Sequence, residues 1–378
     1  LAAALGPHAP TSLDPSSPAL PLPAGSAVTV EPGGQVELAT PPQVGLAALI
    51  EAACRDTAVL HRRLARAGLV ALPRAADPLR PPVRLLDLPR YTGMERYFDR
   101  IGPSGRSGMC ATASVQICLD AGDTAAAARS RWTALHALGP VLVAAFANSP
   151  HLHGRDTGWK SSRMACWLRA DPARTTPPTV EETEGADPAA AWARRVVHSP
   201  VMLRRGGVTW DVPEPVTFAE WVGGALPGPP SLDDLRYHVS TLFPPVRPRG
   251  YLEVRYVDAQ PGRGWALPVA VLTALTSSDA VVDRVREVCA SARGRWVSAA
   301  RRGLEDPVLA RAAQEVFELT CALLPGLGAP DWLVADLVEV TENRVARARC
   351  PADEPTPAAA RTGPGVDPLA STAEGAQL

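Results

Sequence analysis

From Cys110 to Leu119 the side chains alternate without a break. Ala111, Ala113, Val115, Ile117 and Leu119 fall on one side, and Cys110, Thr112, Ser114, Gln116 and Cys118 on the other. A period of two belongs to a strand, here one with an apolar face for the core and a polar face left open. A second strand of the same kind is expected over Tyr251 to Asp258. Leu252, Val254 and Tyr256 would face the core, and Glu253 and Arg255 the opposite side. Strands of this type, separated by irregular connections, predict an α+β chain: an antiparallel sheet open to a cavity on one face and backed by helices on the other.

The rest of the pattern fits around that sheet. The chain has 378 residues, enough for one large domain or two ordinary ones, and 40 prolines, which predict many loops and short elements. Residues 1–25 read as a loose Pro/Ala-rich lead-in. Val28 to Leu38 reads as a hairpin around Pro32-Gly33-Gly34. Apolar residues at helical spacing run from Gln43 to Ala67, with Gly68 to end the helix. Leu69 to Leu72 is a candidate strand and Tyr91 to Ile101 a short helix. Thr124 to Ala147 is a long helix, followed by a loop over His151 to Trp159. Further helices are expected over Ser161 to Leu168, Ala190 to Val197 and Leu232 to Thr241. An acidic loop is expected at 172–188, two short strands before Leu232, and helices through Arg347 after Asp258. The tail, 351–378, has the composition of a disordered segment.

Composition excludes several classes of function. The formal net charge is −1, so there is no basic footprint for nucleic acid and no polybasic patch for a membrane surface. Lys160 is the sole lysine, a bias that GC-rich coding explains. The seven cysteines are scattered with no C-x-x-C pair, which fits reduced thiols in the cytoplasm better than a disulfide frame. No run of about 18 apolar residues is present, and no basic stretch opens a signal peptide. The first residue is Leu, as in a piece of a longer chain.

Four patches carry possible chemistry. Glu31 and Glu37 flank a tight turn, where two carboxylates suit a hard cation such as Mg²⁺ or simply a solvated hairpin. Glu253 and Arg255 share one strand face roughly 6–7 Å apart. They suit a metal–phosphate site, or an exposed charge pair. Gln116, on the polar strand face, offers both donor and acceptor to an amino-acid backbone. Arg163 and Trp167 share a helix face, and with Arg174 they suit anionic substrate groups, or are surface arginines. Gly102 to Gly108 resembles a phosphate loop but lacks its lysine. His151 and His153 lack metal-ligand partners at a familiar spacing. Cys110 and Cys118 have no histidine nearby in sequence.

In order along the chain, E-P-G-G-Q-V-E-L at 31–38, A-S-V-Q at 113–116, N-S-P at 148–150, G-W-K-S-S-R at 158–163 and H-V-S-T-L-F-P-P-V-R-P-R-G-Y-L-E-V-R at 238–255 resemble the glutamate–cysteine ligases shared by plants and bacteria. The P-P-V-R-P-R wording is similar to the actinobacterial branch that feeds ergothioneine synthesis. The resemblance covers about residues 26–350. It implies a glutamine-synthetase-like catalytic fold, in which a curved antiparallel sheet lines a funnel with helices on its outer face. It implies ATP and Mg²⁺, with L-glutamate phosphorylated on its γ-carboxylate and L-cysteine's amine attacking the acyl phosphate. By resemblance Glu31, Glu37 and Glu253 would hold metal. Arg255 and Arg247 would contact phosphate or a substrate carboxylate. Gln116, Thr241, Arg163, Arg174 and Trp167 would line the amino-acid pocket.

Two departures stand out. The family begins with a strand carrying a Glu-x-Glu pair, and this sequence starts downstream of it, with Asp14 the one acid before residue 26. Cys118 stands where asparagine is expected in many relatives. A related carboxylate–amine ligase using another amine, or a non-catalytic remnant that binds glutamate or nucleotide, are the alternative readings.

Overall fold

The computed structural model describes residues 1–354 apart from Pro73, Ala186, Val208 and Pro213. Its helices in chain order are α1 (Ala2–Leu5), α2 (Leu46–Arg66), α3 (Pro89–Ile101), α4 (Pro103–Ala111), α5 (Ala125–Phe146), α6 (Ser162–Ala170), α7 (Pro172–Thr175), α8 (Val180–Glu184), α9 (Pro188–His198), α10 (Phe218–Val222), α11 (Leu232–Val239), α12 (Ala266–Leu275), α13 (Asp279–Val288), α14 (Trp296–Arg302), α15 (Pro307–Leu323) and α16 (Asp331–Asn343). The strands are β1 (Ala27–Val30), β2 (Val36–Ala39), β3 (Ser114–Leu119), β4 (His151–Leu152), β5 (Arg155–Asp156), β6 (Val246–Pro248) and β7 (Leu252–Asp258). The class is α+β, as the alternation requires.

All pairings between these strands are antiparallel, in three small sheets: β1–β2, β4–β5, and β3–β7–β6 with β7 in the centre. In the three-stranded sheet Glu253 pairs with Arg247 on one side and Cys118 on the other. The β3–β7 register slips between Val115 and Ile117, so Gln116 sits at an irregularity, where a strand re-aims a side chain.

The apolar face of β7 rests on α5. Every residue of α5 from Trp132 to Phe146 is buried, so this helix is apolar all round and forms the axis of the core. The Tyr256 hydroxyl donates to the Leu135 carbonyl at 3.1 Å, fixing strand to helix. Gly139 lets Trp296 lie on the helix, since a Cβ there would come 1.9 Å from the indole. Helices α12 to α16 complete this layer. No single helix among the described residues is long and apolar enough to cross a membrane. The bent pair Gly262–Leu275 and Asp279–Val288, which passes by composition, packs into the core through α12 and through Val282 and Val285 of α13.

Several boundaries differ from expectation. Cys110 lies in the last turn of helix α4 instead of opening a strand, because the strand period begins only after the Thr112 hydroxyl has closed the helix on the Gly108 carbonyl at 2.6 Å. The glycine-rich stretch 102–108 is therefore mostly helix, with no phosphate loop. Leu69 to Leu72 forms no strand. The acidic segment holds the short helices α7 and α8, each capped by a side-chain oxygen, from Asp171 and Thr179. The two short strands expected before Leu232 are isolated bridges, Pro200 with Thr217 and Leu203 with Asp211. The first 25 residues are not loose: Leu5, Ala9 and Leu22 are buried with Val28, Val30, Leu60, Leu64 and Leu86. At the other end Pro351–Asp353 packs as a turn, with Asp353 and Glu305 paired to Lys160. The expected disorder beyond it, 355–378, lies outside the described residues.

Candidate functional site

The β1–β2 turn places two carboxylates. The Glu31 amide donates to the Gln35 carbonyl, and the Gly34 amide to the Glu31 carbonyl, both at 2.8 Å. Pro32 suits the second turn position and Gly34, at φ +88°, takes the left-handed one. Gly33 is obligatory for another reason: a Cβ there would sit 1.9 Å from the Cys110 carbonyl oxygen. The turn is thus pressed onto the end of α4. Gln35 Nε2 holds it there, donating to the carbonyls of Met109 and Thr112 at 3.3 and 3.0 Å. Thr29 Oγ1 donates to Glu37 Oε2 at 2.9 Å.

The polar face of the three-stranded sheet supplies the opposite charges. Arg247 forks onto Glu253, with Nε–Oε2 at 2.6 Å and Nη2–Oε1 at 3.1 Å. Arg255 Nη1 reaches Glu253 Oε1 at 3.2 Å and Gln116 Oε1 at 3.0 Å. Burial raises the Glu253 carboxyl, but the Arg247 bonds and the charges of Arg255, Arg247 and Arg249 outweigh it and hold the group below its ordinary range. Arg255 is pushed down to about 10 by burial first and by Arg247 second, so it stays charged at neutral pH. The charges of Arg255 and Arg90 both lower the Glu31 carboxyl, against burial and the charge of Glu37, which raise it.

Glu31 is open to solvent on one side and crowded by protein on the others. Burial, then the charge of Glu37, raise its carboxyl to about 6. Two adjoining carboxylates repelling each other make a donor set that a hard divalent cation would satisfy. Glu253 does not join them, because both its oxygens face guanidinium groups. Among the described residues no group of three acidic, histidine or cysteine side chains is placed to share a metal ion.

The remaining expected residues lie deeper. Arg163 is buried, donates through Nη2 to the Arg255 carbonyl, and has Nη1 3.6 Å from Asp258 Oδ1. Asp258 also accepts from the Asn148 amide at 2.9 Å, Ser149 Oγ at 2.8 Å and Ser161 Oγ at 2.9 Å. The N-S-P and G-W-K-S-S-R motifs therefore meet behind β7 as a clamp. Arg174 is fully enclosed, with Nε 2.8 Å from Asp171 Oδ2, Nη1 donating to Thr241 Oγ1 at 2.9 Å, and Nη2 to the Pro200 carbonyl. Trp167 packs over Gly108 and beside Phe243, ring centres 5.5 Å apart.

Sequence reasoning missed Arg90, Tyr91 and Ser240. Arg90 and Tyr91 follow Pro89 in the first turn of α3, and no spacing marks them. Burial raises the Tyr91 hydroxyl, and the charge of Glu31 adds to it. The weaker sequence signals resolve as structural. His153 donates from Nδ1 to the Arg80 carbonyl at 2.8 Å and accepts from Ser107 Oγ at 3.0 Å. Burial pushes the Cys110 thiol up to about 12, which removes it as a nucleophile.

A profile described as Glutamate-cysteine ligase family 2 (GCS2) matches residues 10–354. The chain is 42% identical over 343 residues to glutamate–cysteine ligase EgtA of Mycolicibacterium smegmatis, covering 88% of this chain and 78% of that protein. For EgtA of Mycobacterium tuberculosis the identity is 41% over 348 residues, with 88% and 77% covered. The chloroplastic glutamate–cysteine ligase of Medicago truncatula is 29% identical over 312 residues, or 77% of this chain and 60% of that one. With a profile spanning nearly the whole chain and relatives of this identity and coverage, the chain belongs to glutamate–cysteine ligase family 2.

Proposed function

We propose that this chain ligates the γ-carboxylate of L-glutamate to the amine of L-cysteine with cleavage of ATP, giving γ-glutamylcysteine for ergothioneine synthesis in the cytoplasm. The observation that carries the reading is the 42% identity to EgtA over 88% of the chain. The opposed Glu31–Glu37 pair and Arg255 agree with it, and the seven free cysteines fit a reducing compartment.

A carboxylate is a poor electrophile, so it must first gain a leaving group. The γ-carboxylate oxygen attacks the terminal phosphorus of ATP, the bond to the bridging oxygen breaks, and ADP leaves. The cysteine amine then attacks the acyl carbon, loses a proton, and phosphate departs. Arg255, steadied by Glu253 and Gln116, is suited to the oxygens of the transferring phosphoryl group, and Arg247 to a phosphate or carboxylate beside it. Glu31 and Glu37 are the residues suited to hold Mg²⁺, which when bound would neutralise phosphate charge. Glu253 serves in this reading to aim the two arginines. Gln116 and Trp167 line the amino-acid pocket, and Arg163, Arg174 and Thr241 stiffen its wall from behind. The hairpin and the three-stranded sheet are taken as parts of a glutamine-synthetase-like funnel.

The test is ADP release from Mg²⁺-ATP with glutamate and cysteine, each omitted in turn, and the mass of the product. Release that needs both, with γ-glutamylcysteine formed, is expected. Equal release with unrelated amines would transfer the reading to a related ligase. Ligand binding without turnover would make the chain a binding remnant.

A further inference from the structure

The hairpin that carries Glu31 and Glu37 has two unlike faces. Val28, Val30, Val36 and Leu38 pack with Leu60 and Leu64. By the period of two, Thr29, Glu31, Gln35 and Glu37 share the opposite face. Gln35 lies across the turn from Glu31, whose amide donates to the Gln35 carbonyl at 2.8 Å, and two residues before Glu37. Both carboxylates therefore flank it on its own face. Its side-chain amide is spent elsewhere. Nε2 has two N–H donors, and they go to the Met109 and Thr112 carbonyls at 3.3 and 3.0 Å. Carbonyls at the end of a helix lack partners within it, so the hairpin caps α4 from outside. Two carbonyls can only accept, which fixes the amide's orientation and leaves its Oε1 buried with no hydrogen-bond partner. An oxygen left so costs stability, so what this glutamine supplies is the pair of donors.

We propose that Gln35 is a positioning residue for a divalent cation held by Glu31 and Glu37, tying their turn to the segment that leads into β3. This rests on the metal reading of that pair. Two like charges on a short turn splay apart unless the backbone beneath them is held, and a splayed pair no longer offers its oxygens at a cation's spacing. The other ties of the turn are the Leu85 and Leu86 amides, which donate to the Pro32 carbonyl at 2.7 and 3.2 Å. They come from the loop before α3, so without the Gln35 amide the hairpin keeps its place in the fold and loses its tie to α4.

The experiment titrates wild-type, Glu31→Gln, Gln35→Met and Gln35→Asn chains with Mn²⁺ in the absence of nucleotide, following loss of the free-ion electron paramagnetic resonance signal. Wild-type binding that Glu31→Gln weakens is the control for the metal reading. Binding indifferent to Glu31 would sink that reading, and the proposal with it. Gln35→Met keeps the length of the side chain and loses both donors, and its Kd for Mn²⁺ should rise on the order of 10–100-fold, as for other groups that orient metal ligands. Gln35→Asn keeps an amide of shorter reach and should fall between. The Mg²⁺ concentration for half-maximal ADP release should rise by the same factor. A urea midpoint measured on each chain separates the two roles. A lower midpoint with an unchanged Kd in the Gln35 variants would overturn the proposal, because a glutamine that only braces the fold leaves the metal affinity of the folded chain alone. Where Gln35→Met fails to fold, Gln35→Asn decides by the same criterion.

Discussion

The Asp258–Arg163 cluster behind β7 and the Glu31–Glu37 pair on the β1–β2 hairpin use carboxylates to opposite ends. Both come from stretches that stand out in the sequence, N-S-P and G-W-K-S-S-R behind the strand and E-P-G-G-Q-V-E on the hairpin. Behind the strand Asp258 has three donors besides Arg163, and Arg163 in turn binds the Arg255 carbonyl. On the hairpin the charge of Glu37 instead raises the Glu31 carboxyl, so the two carboxylates repel each other. A saturated cluster in low dielectric fixes a backbone; an unsaturated one stores free energy that a ligand releases. Partner count therefore separates these two clusters where residue type does not.

Asp258→Asn tests the rear cluster hardest. The amide nitrogen cannot accept from Ser161, or from Asn148 and Ser149, and Arg163 loses its counter-ion. Breaking a buried pair from one side costs about 3–5 kcal/mol, so the urea midpoint should fall sharply. The KM values of the chain that remains folded should stay near normal. A mild loss of stability with a large change in KM would reverse the division between scaffold and site. Next in size is Arg255→Lys. A point charge cannot serve Glu253, Gln116 and a phosphoryl oxygen at once. The kcat should fall about 10²–10³-fold, comparable to loss of a preorganised donor, with little change in thermal midpoint. A near-normal rate would show that the guanidinium geometry is not used.

The sequence reveals the face of a strand more readily than the partners of its side chains. The alternation in β3 and β7 is a local property, so the polar face with Gln116, Glu253 and Arg255 is legible. The hairpin is equally local, because Pro32, Gly33 and Gly34 carry its turn. What seats the hairpin on the segment leading into β3 is the approach of Gly33 to the Cys110 carbonyl, a contact between distant residues with no periodic signature. The same limit hid Arg90, whose anchor Ser240 lies 150 residues away. The error at Cys110 is instructive, since Cys110 to Ala113 alternate by chance across the end of a helix and its cap. Arg163 and Arg174 read as surface residues or pocket linings because an arginine's carboxylate partner is invisible until the chain is folded.

Glu31→Gln should move less free energy. Its carboxyl titrates at about 6 when folded against an ordinary 4.5, so the folded chain binds the proton more tightly. Stability from this group is present below about pH 4.5 and is lost as pH rises through about 6. The neutral amide should therefore raise the thermal midpoint slightly at pH 7 and leave it unchanged at pH 4. The gain should be below about 1 kcal/mol, since water screens an open group. Mg²⁺ should raise the wild-type midpoint and have a weaker effect on the variant. A variant less stable at pH 7 would mean that the carboxylate pair is already satisfied.

The smallest effect is expected at Cys118, which shares the polar face and faces Glu253 across the strands. If polarity anywhere on that face were sufficient for function, replacing this thiol would matter as much as replacing its neighbours. Its thiol is exposed at the sheet edge, yet burial and then the Glu253 charge raise its pKa, so it remains a neutral, weakly hydrogen-bonding group at pH 7. No hydrogen bond ties it to Arg247, Arg255 or Gln116, which already hold one another. Cys118→Ser should therefore change kcat/KM by less than about threefold, or about 0.6 kcal/mol, and alkylation by iodoacetamide should be slow. A loss of tenfold or more would show that a substrate leans on this position, and the boundary of the site would then extend along β3 beyond Gln116.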